Sequence, residues 1–128
     1  MAVEFNHTIV GSRDKRAAAT FLAGMMGLPE PTPFGPFMVV QLDNGVSLDF
    51  IEHDGDIASS HYAFLITETD FDAVLRRLQN QGVTYYADPF HSKAGEINTD
   101  DGGRGLYFED PNGHNLEVIT RTYGSGSE

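Results

Sequence analysis

The chain contains nearly the same segment twice. Asp43-Asn44-Gly45-Val46-Ser47-Leu48-Asp49-Phe50-Ile51 parallels Pro111-Asn112-Gly113-His114-Asn115-Leu116-Glu117-Val118-Ile119. Each copy places a carboxylate five positions past the Asn of an Asn-Gly turn. Each also follows an earlier strand-like run that carries a histidine, Glu4 to Val10 and Ser60 to Ile66. A duplicated strand–helix–hairpin unit restricts the architecture sharply. One histidine and one carboxylate per copy can converge at a pseudo-twofold axis.

The local patterns agree with that reading. In the first copy Phe5, His7 and Ile9 alternate with Asn6, Thr8 and Val10, as a strand requires. Ser12 or Asp14 caps a helix with Ala17, Ala18, Phe21, Leu22, Met25 and Met26 at helical spacing, closed by Gly27 with Pro29 beyond. Pro29 to Pro33 reads as an extended connector, Phe37 to Leu42 as a strand, and Asn44-Gly45 as a two-residue hairpin turn into the strand Val46 to Ile51. In the second copy His61 to Ile66 is a strand. Thr67 or Thr69 caps a helix striped by Phe71, Val74, Leu75 and Leu78 and ended by Gly82. Val83 to Tyr86, Gly105 to Glu109 and His114 to Thr120 complete the set of strands. The order β-α-β-β(-β), twice, predicts an α+β fold with mainly antiparallel pairing rather than a doubly wound parallel sheet. The second copy is longer, with its extra residues around His91 to Gly103. Such a loop is either a lid over a pocket or a tolerated surface excursion.

Period-two alternation sorts the side chains by face. Leu48 and Phe50 point opposite to Ser47, Asp49 and Ile51; Leu116 and Val118 point opposite to Asn115, Glu117 and Ile119. His7 shares a face with Phe5 and Ile9, and His61 with Ala63 and Leu65. Histidines and carboxylates with apolar neighbours are expected in a partly buried concavity. A buried carboxylate is costly unless paired or metal-bound. A hydrogen-bonded core histidine or a solvated strand acid explains any one of these groups. Metal binding explains His7, His61, Asp49 and Glu117 together.

Bulk properties set the limits. At 128 residues and 40% apolar composition the chain suits one domain, residues 1–122, with modules over about 4–53 and 58–122 and a flexible Gly/Ser tail over 123–128. With no cysteine, any metal must be held by nitrogen and oxygen, and a reducing cytoplasm is the expected location. No apolar run approaches the roughly 20 residues of a membrane helix. A formal charge of −11 disfavours nucleic acid and anionic membranes as partners and attracts cations.

The runs Asn6-His7-Thr8-Ile9-Val10, His61-Tyr62-Ala63-Phe64 and Leu106 through Ile119 resemble the vicinal oxygen chelate superfamily of glyoxalase I, bleomycin-resistance proteins, fosfomycin-resistance enzymes and extradiol dioxygenases. The resemblance covers residues 4 to 122. It implies two βαβββ modules, helices outside, whose mixed sheets form an open cup around one divalent ion (Fe, Mn, Ni or Zn), and a homodimer. It implies His7, His61 and Glu117 as metal ligands. Asp49 stands where glyoxalase-like members place a Glu. Being one methylene shorter, it is left to bind through water, act as a base, or stand apart. Glu117, Asp49 and His91 are the candidate acid–base groups. His53 and His114 are expected at the surface, and Arg104, next to Gly102-Gly103, either reaches an anionic substrate or lies at the surface.

Two functions follow as expectations. One is a metal-dependent enzyme on a small oxygen-chelating substrate, dioxygenase-like first and glyoxalase-like lyase or isomerase next. The other is a metal-free protein that sequesters a cationic antibiotic.

Overall fold

The structure, a computed structural model, describes residues 2–126. It divides between Ala58 and Ser59 into two compact units. The first comprises β1 (His7–Ser12), α1 (Lys15–Met26), β2 (Thr32–Phe34), β3 (Phe37–Gln41) and β4 (Ser47–Glu52). The second comprises β5 (His61–Leu65), α2 (Glu68–Gln81), β6 (Tyr85–Tyr86), β7 (Gly105–Glu109) and β8 (Asn115–Ile119), with a short 3₁₀ turn at Asp100–Gly102. The sheets are mixed and equivalent, β1-β4-β3-β2 and β5-β8-β7-β6. In each, the first strand pairs parallel with the last and the remaining pairs are antiparallel. The fold is therefore α+β with two βαβββ units.

The helices form where capping predicts. The Asp14 carboxylate accepts from the Ala17 N–H and Thr67 Oγ1 from the Asp70 N–H, and Gly27 and Gly82 end the helices at φ +68°. In the first unit Ala18, Ala19, Leu22, Ala23 and Met25 bury against Val10, Met38, Val40, Leu48 and Phe50. Ala17, expected inside, is exposed, and Ala19 takes its place. The core of the second unit holds Phe71, Val74, Leu78, Leu106, Phe108, Leu116 and Val118.

Three expectations change. The Pro29–Pro33 connector contributes an edge strand, with Thr32 opposite Val39 and Pro33 opposite Met38. An edge tolerates proline because one side of the strand makes no ladder bonds. Both hairpin loops have three residues, not two. Leu42 N–H bonds to Val46 O and Asp110 N–H to His114 O. Gly45 and Gly113 take the left-handed position at φ +86° and +87°, which a residue with a Cβ adopts only with strain. Finally, His114 is buried, at 2% exposure, rather than at the surface. It does face away from Glu117, but that side of the sheet carries the core. Its Nδ1 accepts the Ser60 N–H at 3.0 Å, and its ring packs edge-on against Tyr62.

Candidate metal centre

Cross-strand register assembles the site on the sheet face opposite the core. In the second unit Ala63, Glu117 and Tyr107 align across β5, β8 and β7, and His61, Asn115 and Glu109 align one step away. His61 Nε2 lies 3.0 Å from Glu117 Oε1. The His61 side chain is 47% exposed and that of Glu117 only 1%. His61 Nδ1 donates to the Asn115 carbonyl at 3.0 Å. That bond fixes the ring and turns Nε2 toward the carboxylate. Both ring nitrogens thus face oxygens, a carbonyl and a carboxylate, so the position between Nε2 and Oε1 suits a cation, proton or metal ion.

Two tyrosines enclose the carboxylate. Tyr123 donates its hydroxyl to Glu117 Oε2, and the Tyr107 hydroxyl lies 3.3 Å from that of Tyr123. Burial, then the bond with Tyr123, pushes the Tyr107 phenol far above its ordinary value. Burial, then the bond to Glu117, raises Tyr123. The Tyr107 ring also stacks on His61 with centroids 6.1 Å apart. Tyr62 lies on the other face of the sheet, against His114.

His91 reaches the same face from the long loop. Its ring stacks on Tyr86 at 4.2 Å and 5°. Nε2 lies 2.9 Å from Asn115 Oδ1, and Nδ1 lies 3.3 Å from Glu109 Oε2. His91 holds φ +60°, a conformation unusual for a residue with a side chain, and these contacts hold it there. Asn115 therefore contacts both histidines, His61 through its main chain and His91 through its amide.

In the first unit the equivalent face forms an open groove of about 460 Å³, lined by His7, Asp49, Asn6, Ser47 and Thr32 and by the apolar walls Ile9, Pro33, Phe34, Phe37 and Val39. Asn6 Oδ1 accepts from His7 Nδ1 at 2.7 Å, which leaves Nε2 to ligate. Asp49 occupies the register position of Glu117 (Ile9 opposite Asp49, Ala63 opposite Glu117). It accepts from Ser47 Oγ at 2.8 Å. The shorter side chain stays on its own strand where Glu117 spans to the neighbouring histidine. Among the described residues, no three His, Asp or Glu side chains gather closely enough to hold a metal ion.

Arg104 lies away from the site. It bonds Glu68 at 2.8 Å and Asp72 at 2.9 Å on α2 and covers the Phe71 ring at 4.4 Å. Glu68 and Asp72, in that order, raise its pKa. His53 is exposed. Sequence reasoning missed Tyr123, which it assigned to the tail, and Asn115, whose side chain appeared only as a neighbour of Glu117. The one available signal was an aromatic residue directly preceding the Gly/Ser run.

Two tandem βαβββ units, each with a histidine on its first strand and a carboxylate on its last, define a vicinal oxygen chelate protein, and the chain belongs to that superfamily. No protein-family model matches it. It is 56% identical to the solved structure of oxidase ChaP-H2, covering 99% of this chain and 100% of that one at TM-score 0.97. With oxidase ChaP-H1 it shares 55% identity, covering 96% and 99% at TM-score 0.94. Glyoxalase / bleomycin resistance protein from Catenulispora acidiphila shares the fold, at TM-score 0.64 and 24% identity over 91% of this chain and 97% of that one. Metallothiol transferase FosB of Shouchella clausii is 40% identical over 63 residues, 49% of this chain. Glutathione transferase FosA of Serratia marcescens is 37% identical over 59 residues, 46% of this chain. The chain spans only 39% and 35% of the length of these two curated relatives. Among the described residues no helix is long and apolar enough to cross a membrane.

Proposed function

We propose that the chain is a divalent-metal-dependent enzyme acting on a small substrate through two adjacent oxygens, with oxygenase-like chemistry ahead of glyoxalase-like chemistry. The supporting observation is the cation position between His61 Nε2 and the buried Glu117 carboxylate. The donor set fits an Fe, Mn, Ni or Zn ion: imidazole nitrogen and carboxylate oxygen, with the imidazole oriented by a carbonyl behind it. His7 supplies the third ligand, from the same chain or from a second copy in a homodimer. The chemistry such an ion supplies is polarisation of the chelating oxygens, with positions left open for substrate.

The chain's own residues do the rest. Glu117 Oε1 and His61 Nε2 hold the ion, while Tyr123 keeps the other carboxylate oxygen turned away. Asp49, oriented by Ser47, takes a proton from a substrate hydroxyl seated in the groove of the first unit. His91 holds Asn115 through Nε2 and, with Nδ1 facing Glu109, serves as the acid–base group of the second unit through that carboxylate. Oxygenase-like chemistry is preferred because the two oxidase structures match nearly the whole chain. Phosphonate or glutathione substrates are disfavoured: among the described residues no Lys or Arg lines the groove, and Arg104 is held by two acids. Those same features and the charge of −11 favour a second reading, sequestration of a cationic antibiotic.

Protein purified without chelator should carry about one metal equivalent per site, lost in His61→Ala with the fold retained. A metal-free wild type that binds a basic drug tightly would replace the enzyme reading with the second one. Mixing inactive His7→Ala with inactive Glu117→Gln locates the third ligand. Recovered activity places it on a second copy; no recovery places it on the same chain.

A further inference from the structure

We infer that the C-terminal segment is a functional strap, and that Tyr123 is a positioning residue for the Glu117 carboxylate. The inference rests on the proposed metal site. Residues 121–126 fold back onto their own unit. Gly124 and Gly126 N–H both donate to Asp101 Oδ1, at 3.0 and 3.3 Å, Arg121 Nη2 donates to the Ser125 carbonyl at 2.9 Å, and Ser125 Oγ donates to the Thr122 carbonyl at 2.6 Å. Asp101 belongs to the long loop of the second unit and holds φ +57°. So part of the insertion that distinguishes this unit from the first serves to anchor the chain end.

The strap delivers one polar atom to a buried place. The Tyr123 ring is mostly exposed, at 61% for the residue, yet its hydroxyl reaches a carboxylate that is 1% exposed. A carboxylate rotating freely about its last bond can present either oxygen, or both, to a cation. Here Tyr123 occupies Oε2, with the Tyr107 hydroxyl behind it, and Oε1 alone faces His61. The carboxylate is thereby set to bind through one oxygen. Asp49, the counterpart of Glu117 in the first unit, has its orienting hydroxyl from Ser47 on its own strand. The second unit obtains the equivalent hydroxyl from a distant part of the chain.

The test is Zn(II) affinity by competition with a chelator, using full-length wild type, Tyr123→Phe, Asp101→Ala and His61→Ala, with Co(II) spectra alongside. Tyr123→Phe should bind Zn(II) roughly 10–100-fold more weakly, the range for lost orienting bonds around metal ligands. It should also change the Co(II) visible spectrum, because the carboxylate is free to bind through both oxygens. Its unfolding midpoint in chelator should fall somewhat, because Oε2 loses its donor; the altered Co(II) spectrum is the readout that a purely structural role would not move. Asp101→Ala should weaken Zn(II) in the same direction, through release of the anchor. Wild-type affinity and spectrum in Tyr123→Phe, with binding lost in His61→Ala, overturns the strap alone. A wild type that binds no metal overturns the strap and the metal site together.

Discussion

Removing His61 from the metal-free protein should destabilise it because a buried charge is left behind. Breaking a fully buried ion pair by deleting one partner costs about 3–5 kcal/mol. The His61 side chain is half exposed, so water screens the pair and reaches part of the vacated space. Discounting by about half leaves roughly 2 kcal/mol for His61→Ala. Glu117→Gln should behave differently. Its amide oxygen still accepts from Tyr123, and a His61 with its proton on Nδ1 offers Nε2 to the amide N–H. No charge remains to be solvated, so the change should be within about 1 kcal/mol of wild type in either direction. In the double variant, His61→Ala should cost only about 0.5–1 kcal/mol more than Glu117→Gln alone, giving a coupling of about 1 kcal/mol or more. The assay is urea unfolding at pH 7 in chelator. With a slope near 2 kcal/mol/M, His61→Ala should lower the midpoint by about 1 M, and by only about 0.25–0.5 M when Glu117→Gln is already present. Equal costs in both backgrounds would refute the claim that Glu117 depends on a cation at this position.

Three further outcomes are expected. Gly103→Ala should destabilise by about 1–3 kcal/mol in thermal unfolding, because the new Cβ would stand 2.5 Å from Thr120 Oγ1 and 2.8 Å from Arg121 Cγ. His114→Leu should cost about 1 kcal/mol in chemical denaturation, by removing the acceptor of the part-buried Ser60 N–H. The Asp88 carboxyl is held below its ordinary value by the Ser92 hydroxyl and then by loop N–H groups. Its contribution is therefore present above the unfolded-state pKa near 3.8 and fades as pH falls through the lower folded value. Amide exchange at Ser92 and Lys93 should quicken in Asp88→Asn, and quicken likewise in wild type under acid.

Much of the site is written in local pattern. Strand parity alone placed Asp49 and Glu117 opposite Leu48 and Leu116, and the structure keeps that sorting. The two histidines lie on the first strand of each unit, and the cap residues Asp14 and Thr67 were among those expected. Parity could not say which face water reaches. His114 was correctly turned away from Glu117, yet the face it turned to is the core. Nor could it distinguish two acids in equivalent positions. Glu117 meets a histidine on the next strand and Asp49 meets a serine on its own, because one methylene decides whether a carboxylate reaches across to its neighbour.

The residue order by itself determined the duplication, the sequence of elements and the face each strand residue takes, since all three depend on spacings of a few residues. Only the tertiary structure decided that Glu117 is fully rather than partly buried, that His91 from a loop and Tyr123 from beyond the last strand come to its face, and that Arg104 is bound to α2 instead. These are contacts between segments far apart in the chain. They are selected by how whole elements pack and by which polar groups burial obliges to find partners, and no short-range spacing records that choice.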